Sequence, residues 1–248
     1  MEKEDLKVLL AHLAEHYETA DFLNGDPSWF MHQVSGRENQ EVMGFLASVL
    51  SYGRRDLFFP KIQYMLDCSG GDVYEWVMKR RFVKDIPDDD HCYYRLYNDH
   101  MMLSMLLALS DLLNDYGSMG EFAKKNSPNK TSYETLCAIA QWFLSRGIRG
   151  MVPSPKTSVA KRPVMFMRWM VRDSSPVDLG LWSSFIDKRT LFIPMDTHVM
   201  QEARKLGLIT SKSASWHTVE QLTDSLREVF PNDPARGDFA LFGVGVNE

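Results

Sequence analysis

Lys161 and Asp196 are the two side chains of this 248-residue chain best placed to do chemistry, and they stand 35 positions apart. Asp196 lies in Ile193-Pro194-Met195-Asp196-Thr197-His198-Val199. Behind it Val199, Met200, Ala203 and Leu206 recur at helical spacing, which puts Asp196 at a helix N-cap. A capping aspartate is commonly structural. A carboxylate also stabilises positive charge that develops beside it, and a desolvated lysine amine attacks an electron-poor carbon. Lys161 begins a stretch, Lys161–Arg172, in which Arg162, Arg168 and Arg172 stand among apolar residues at helical spacing. Lys156 stands just upstream.

The charge around Lys161 is uneven. The chain has a net charge of −5, which argues against non-specific binding to nucleic acid. Yet Thr135–Arg172 contains no Asp or Glu and carries Arg146, Arg149, Lys156, Lys161, Arg162, Arg168 and Arg172. Residues 147–160 (GIRGMVPSPKTSVA) are too rich in Gly, Pro and Ser for a helix. Backbone amides in such a loop, leading into a helix start, favour phosphate, so the stretch reads as a phosphate-backbone footprint or as a solvated basic face with acidic partners nearby.

The elements that must position these residues are helical. Apolar periodicity predicts helices over 3–22, 38–50, 57–67, 72–79, 99–116, 131–146, 160–172, 196–206 and 218–229, with a short one near 179–187. The apolar tail DFALFGVGV is expected inside, and no strand pattern stands out. Hydrophobic residues are 44 % of the chain, enough for one large domain. The three cysteines form no CxxC pair, which excludes a zinc ribbon or a four-cysteine iron–sulfur cluster; no cofactor is expected. Free thiols, no signal-peptide pattern and no membrane-length apolar run point to a cytoplasmic protein.

Two resemblances give the pair a context. The DTHV segment with its following ARKLGL helix, and the K-x-x-x-x-F-x-R pattern of Lys161, Phe166 and Arg168, resemble the helix-hairpin-helix DNA glycosylase superfamily, the 8-oxoguanine glycosylases of archaeal type above all. This likeness is confined to about residues 40–200. Over nearly its full length the chain resembles an uncharacterised bacterial family, DUF2400, through SYGRR, Pro153-Ser154-Pro155 with Lys161-Arg162, MFMRWMVR, VDLGLW, IPMDTHV and DFALFGVGV. Two departures from the glycosylases stand out. Pro153–Ser158 replaces the usual L-P-G-x-G hairpin, and Asp173–Thr190 lengthens the gap between the lysine and the aspartate.

The glycosylase resemblance implies an all-α, two-lobed fold with a cleft between the lobes. Residues 40–145 would form the first lobe, and 146–248 with the N-terminal 1–25 the second, all within a single domain. It implies a monomer acting on double-stranded DNA with a damaged base, which must leave the stack to be reached. Lys161, with Lys156 as a rival, would attack C1′ of the sugar, made nucleophilic by burial and neighbouring Arg162, and Asp196 would stabilise the oxocarbenium-like state. Asp178 and Trp182 are candidates for the base pocket, although Trp182 suits a core equally well. Asp238 can enter the pocket or cap the last helix. His198 can line the pocket, cap or pack; no second ligand stands at a metal-binding spacing from it. Tyr52, Arg54 and Arg55 fall where a glycosylase presents its wedge, and Gly53 among them also suits a helix C-cap. Ser154, Lys156, Ser158, Arg162 and Arg168 complete the expected DNA contacts.

Overall fold

The computed structural model describes residues 2–246. The fold is all-α. Its helices are α1 (Lys3–Tyr17), α2 (Arg37–Leu50), α3 (Arg55–Ser69), α4 (Val73–Met78), α5 (Asp99–Tyr116), α6 (Met119–Lys125), α7 (Ser132–Ser145), α8 (Lys161–Val171), α9 (Thr197–Lys205), α10 (Trp216–Arg227) and α11 (Gly237–Val246). No described helix is long and apolar enough to cross a membrane.

The helix starts follow local rules. Asn98, Ser118, Thr131, Asp196 and Ser215 each cap a helix by accepting from a backbone N–H in its first turn. α5 ends at Gly117, whose φ of +85° suits glycine. α6 was not expected, although Ser118 and Glu121 have the spacing of a capping box. A two-stranded antiparallel hairpin, β1 (Cys92–Tyr94) with β2 (Tyr97–Asn98), also corrects the expectation of no strands. It is too short to show an alternating pattern.

The buried apolar side chains fall into two clusters. The larger is built mainly by α2 to α8, and the smaller by α1, α9, α10 and α11 with Val177, Ile193 and Met195. α8, expected with the second lobe, packs on α2 in the larger cluster. Residues 163–171 of α8 and 41–50 of α2 are all buried, so each helix needs neighbours on every side. The short helix expected near 179–187 does not form. The backbone amides of Leu179 and Trp182 instead bond to the carbonyls of Trp169 and Met170, at 2.8 and 2.7 Å. The unpaired carbonyls at the end of α8 thus hold this segment as a series of turns.

Arg168 of α8 and Arg172, the residue that caps its C-terminal end, tie the two clusters together. Arg168 and Arg172 are each 2 % exposed. Arg168 binds Asp178 (3.2 Å) and Asp238, and Arg172 binds Asp178, Asp233 (2.9 Å) and Glu18 (2.6 Å). Arg236 closes the network on Glu18 at 2.8 Å. A desolvated guanidinium is tolerated only with such partners.

Candidate active site

Lys161 is the first residue of α8 and Asp196 the N-cap of α9, so each side chain leaves a helix start at the seam between the two clusters. There they meet. Lys161 Nζ donates to Asp196 Oδ2 at 2.6 Å, while Asp196 Oδ1 accepts from the backbone N–H of Val199 at 2.9 Å. Both side chains are about one-third exposed, at 36 % and 33 %. Burial pushes the Asp196 carboxyl up, but the Lys161 ammonium and the Val199 amide outweigh it and hold the group below the ordinary carboxylate range. Ala160, immediately before Lys161, is buried with φ at +46°, a conformation unfavourable for a residue with a side chain. The start of α8 is therefore held in a fixed, strained orientation.

The ion pair borders a cavity of about 340 Å³. Phe22, Met165, Pro194, Val199, Leu241 and Phe242 supply its apolar wall. Phe22 and Phe242 meet edge to face with ring centroids 4.9 Å apart. The polar wall includes Arg55, Arg168, His198, Glu202 and Asp238. Asp238 lies in the first turn of α11 and accepts from Arg168 Nη1. Burial pushes its carboxyl up to about 6 against the opposing pull of that guanidinium. A second hollow, of about 530 Å³, shares Phe22, Asp26, Arg55 and Phe242 with the first.

Lys161, Asp196, Arg168, His198, Asp238 and Arg55 are thus brought to one cavity. Asp178 and Trp182 are not. Asp178 is 4 % exposed and bridges the two buried arginines; Trp182 is fully buried, with its indole N–H on Glu41 Oε1 at 2.8 Å. Glu41, equally buried, also accepts from the Gly120 amide at 2.9 Å. Asp178 therefore serves the buried ion network rather than a base pocket, and of the two readings of Trp182 the core one holds, its indole filling the space beside Glu41 of α2 and Gly120 of α6.

Of the seven cations in the basic stretch only Arg168 and Arg172 are buried, but most of the others are also held by groups of the fold. Arg168 and Arg172 belong to the buried network, and Arg146 stacks on Trp142 at 3.3 Å. Arg162 does not face the Lys161 amine. Its guanidinium donates to Val49 O (2.7 Å), Tyr97 Oη (2.6 Å) and Gly150 O (2.8 Å), stapling α2, β2 and the loop before α8. The loop amides expected to cradle phosphate are also engaged. Those of Thr157 and Ser158 bond to Ser154 O, that of Lys156 to Ser154 Oγ, and that of Ala160 to Ser158 Oγ. Lys156 and Arg149 are exposed and make no ion pair among the described residues. Lys156 does not line the cavity that Lys161 borders.

Tyr52 is half-buried, with the guanidiniums of Arg95 and Arg162 about 5 Å from its ring centre, at 5.3 and 5.1 Å. Arg54 pairs with Asp56. Sequence reasoning missed the hairpin tip beside Tyr52, where Leu96 is 81 % exposed. It also missed Glu202, six positions after the capping Asp196 on the inward face of α9, and Phe22 and Phe242; their apolar pattern reads as ordinary core. Asp89, His91 and Asp99 place ligand atoms within 4.8 Å of one another at the surface. There Asp89 already accepts from the His91 backbone and pairs with its ring, so the turn's own contacts account for the cluster.

No curated protein and no solved structure matches the chain. One family model does, over residues 26–247, and its description is a protein of unknown function. That match takes in the whole of the site except the N-terminal edge of the cavity at Phe22. The chain belongs to the DUF2400 family.

Proposed function

We propose that the protein is a DNA N-glycosylase with an associated lyase step, acting on a damaged base through a Schiff base on Lys161. The observation that carries this reading is the Lys161–Asp196 pair, 2.6 Å apart at the border of a cavity set between two helical clusters. The cavity is at the small end of ligand sites, roughly 300–1,000 Å³, and suits an extruded base. The glycosylase-like character of the two-cluster fold is part of the same proposal.

The chemistry follows from the pair. Breaking the bond between base and C1′ sends the electron pair out with the base and leaves positive charge on C1′ and the ring oxygen, beside Asp196. Lys161 must shed a proton before it attacks, and the carboxylate at 2.6 Å is the acceptor at hand. That proton can pass on to the departing base. The amine then bonds to C1′, the sugar ring opens to the imine, and loss of a C2′ proton expels the 3′ phosphate. Water releases the lysine. Arg95 lies beside Tyr52, and Arg149 adjoins Gly150, whose carbonyl Arg162 holds; these two cations supply positive charge for the phosphate backbone. The test is borohydride trapping on duplexes containing an abasic site or an oxidised purine. A covalent adduct in wild type and none in Lys161→Gln supports the reading; no adduct on any such duplex defeats it.

A second reading is favoured by the internal commitment of most cations in the basic stretch: the same cavity serves a nucleotide or protein partner without duplex DNA. It expects no salt-dependent binding to any duplex.

A further inference from the structure

Asp238 lines the cavity but has no part in forming the bond between Lys161 and C1′. Asp196 has to be ionised to face the charge on C1′, so it cannot hold a proton for the departing group at the same moment. A group that leaves with an electron pair departs more easily when an acid in reach protonates it. Asp238 stands in the first turn of α11, in the wall shared with Lys161 and Asp196, and the charges of both reach it. Its Oδ2 accepts from Arg168 Nη1. Its Oδ1 has no partner among the described residues, and packing does not close that oxygen off. Oδ1 is therefore left to whatever occupies the cavity. The other carboxylates of the wall are engaged: Asp26 accepts from Ser28, and Glu202 accepts from Lys205 with its free oxygen shut in by packing. Arg168, 2 % exposed and held from its other edge by Asp178, is fixed where it stabilises the carboxylate that remains once a proton has gone.

We propose that Asp238 is the catalytic acid that protonates the group leaving C1′. That a group leaves C1′ at all rests on the glycosylase reading; that a second carboxylate serves it rests on the open Oδ1. On a nucleotide the C1′–N bond breaks, its electron pair stays with the base, and the Asp238 proton bonds to the base nitrogen. On an abasic site Lys161 adds to the C1′ aldehyde; the hydroxyl of that adduct takes the Asp238 proton and leaves as water, while the lysine nitrogen's lone pair closes the imine. In both cases an Asp238 carboxylate paired with Arg168 remains, and solvent returns its proton. The charges that face Asp238 are Arg168 and Lys161 of α8, Asp196 at the start of α9, and Asp26, with Arg55, His198 and Glu202 on the same wall. The two carboxylates are held in opposite states, Asp196 ionised beside Lys161 and Asp238 favoured in its protonated form by burial, as an acid and a charge stabiliser sharing one cavity require.

The test is the single-turnover trapping rate of the full chain on an abasic-site duplex, from about pH 5 to about pH 8, in excess cyanoborohydride, which reduces the imine as it forms. For wild type, the plot of log rate against pH is expected to lose about one unit of slope on passing about 6, where Asp238 ionises. Asp238→Asn keeps an oxygen for Arg168 but brings no acid. It is expected to trap at least about 100-fold more slowly near pH 6 and to show no break. Circular dichroism of the variant separates a lost acid from a lost fold, and the wild-type profile decides alone if the variant does not fold. A wild-type plot of one slope throughout, a break that persists in Asp238→Asn, or a variant rate within about threefold of wild type overturns the role of Asp238 and leaves the glycosylase reading standing. No wild-type adduct at any pH defeats the glycosylase reading and the acid with it.

Discussion

Replacing Asp196 separates its work as a helix cap from its work on charge. Asparagine keeps an oxygen for the Val199 amide, now at 2.9 Å, and ranks with aspartate at an N-cap. What Asp196→Asn loses is the ion pair with Lys161, and a pair whose side chains are about one-third exposed contributes under about 1 kcal/mol. Asp196→Ala loses the cap as well, typically about 1 kcal/mol and up to about 2. Urea unfolding followed by circular dichroism at pH 7 should therefore place Asp196→Asn within about 1 kcal/mol of wild type and Asp196→Ala about 2 kcal/mol below it. Because the native carboxyl is held below its ordinary pKa, the pair's contribution is fully present above pH about 4 and drains away as pH falls further. The wild-type advantage over Asp196→Asn should vanish with it. Trapping should behave differently: both variants should lose about 100-fold or more in rate, the usual cost of removing one charge-stabilising group. An Asp196→Asn variant that unfolds as readily as Asp196→Ala would refute the capping geometry. One that traps at the wild-type rate would refute the role in chemistry.

The remaining expectations concern the framework around the pair. Asp178→Asn leaves two buried guanidiniums short of charge and should cost about 3–5 kcal/mol in the same unfolding assay; an effect under about 1 kcal/mol would mean the network is not desolvated. Gly180→Ala forces a Cβ to 2.8 Å from the Asp173 Cα at a φ of +63°, so thermal unfolding should come at least about 4 °C earlier. Asp238 has the opposite pH sign to Asp196. Its carboxyl, raised to about 6 by burial, holds a proton in the native state that the unfolded chain has already lost, so native stability should fall as pH rises from about 4 to about 6. Asp238→Asn should flatten that part of the stability profile, while Lys161, Arg168, Asp196 and Asp26, which also act on this group, keep the rest. Duplex binding should show a shallow salt dependence, with a log–log slope well short of that for seven phosphate contacts, because most cations of the basic stretch are used inside the fold; Lys156→Ala should lower the slope by about 1.

The Asp196 end of the site was legible because a capping residue, an apolar stripe and a motif coincide within a few positions. Helix positions were legible for the same reason: caps and periodicity are local. Lys161 was legible as a candidate only, since its partner lies 35 residues away and neither neighbour announces the contact. What failed was everything decided by tertiary competition. The basic stretch read equally as a phosphate footprint or as a basic face with acidic partners; residues 163–171 of α8 are buried, and Arg168 and Arg172 had to find internal carboxylates. Asp178 looked like a pocket residue, and Trp182 suited pocket and core equally; the turn after α8 spends its amides on that helix's free carbonyls and draws both side chains inward. Glu202 could not be picked out, because one glutamate on an amphipathic helix resembles any other until its oxygen is seen to lack a partner.

The proposed mechanism requires Lys161 to be a nucleophile. The most direct measurement is borohydride reduction of wild type and Lys161→Gln mixed with an abasic-site duplex, followed by mass mapping of the adduct. A covalent adduct is expected in wild type, carried on Lys161, and none in the variant. An adduct mapped to Lys156, or equal trapping by the two proteins, would contradict it.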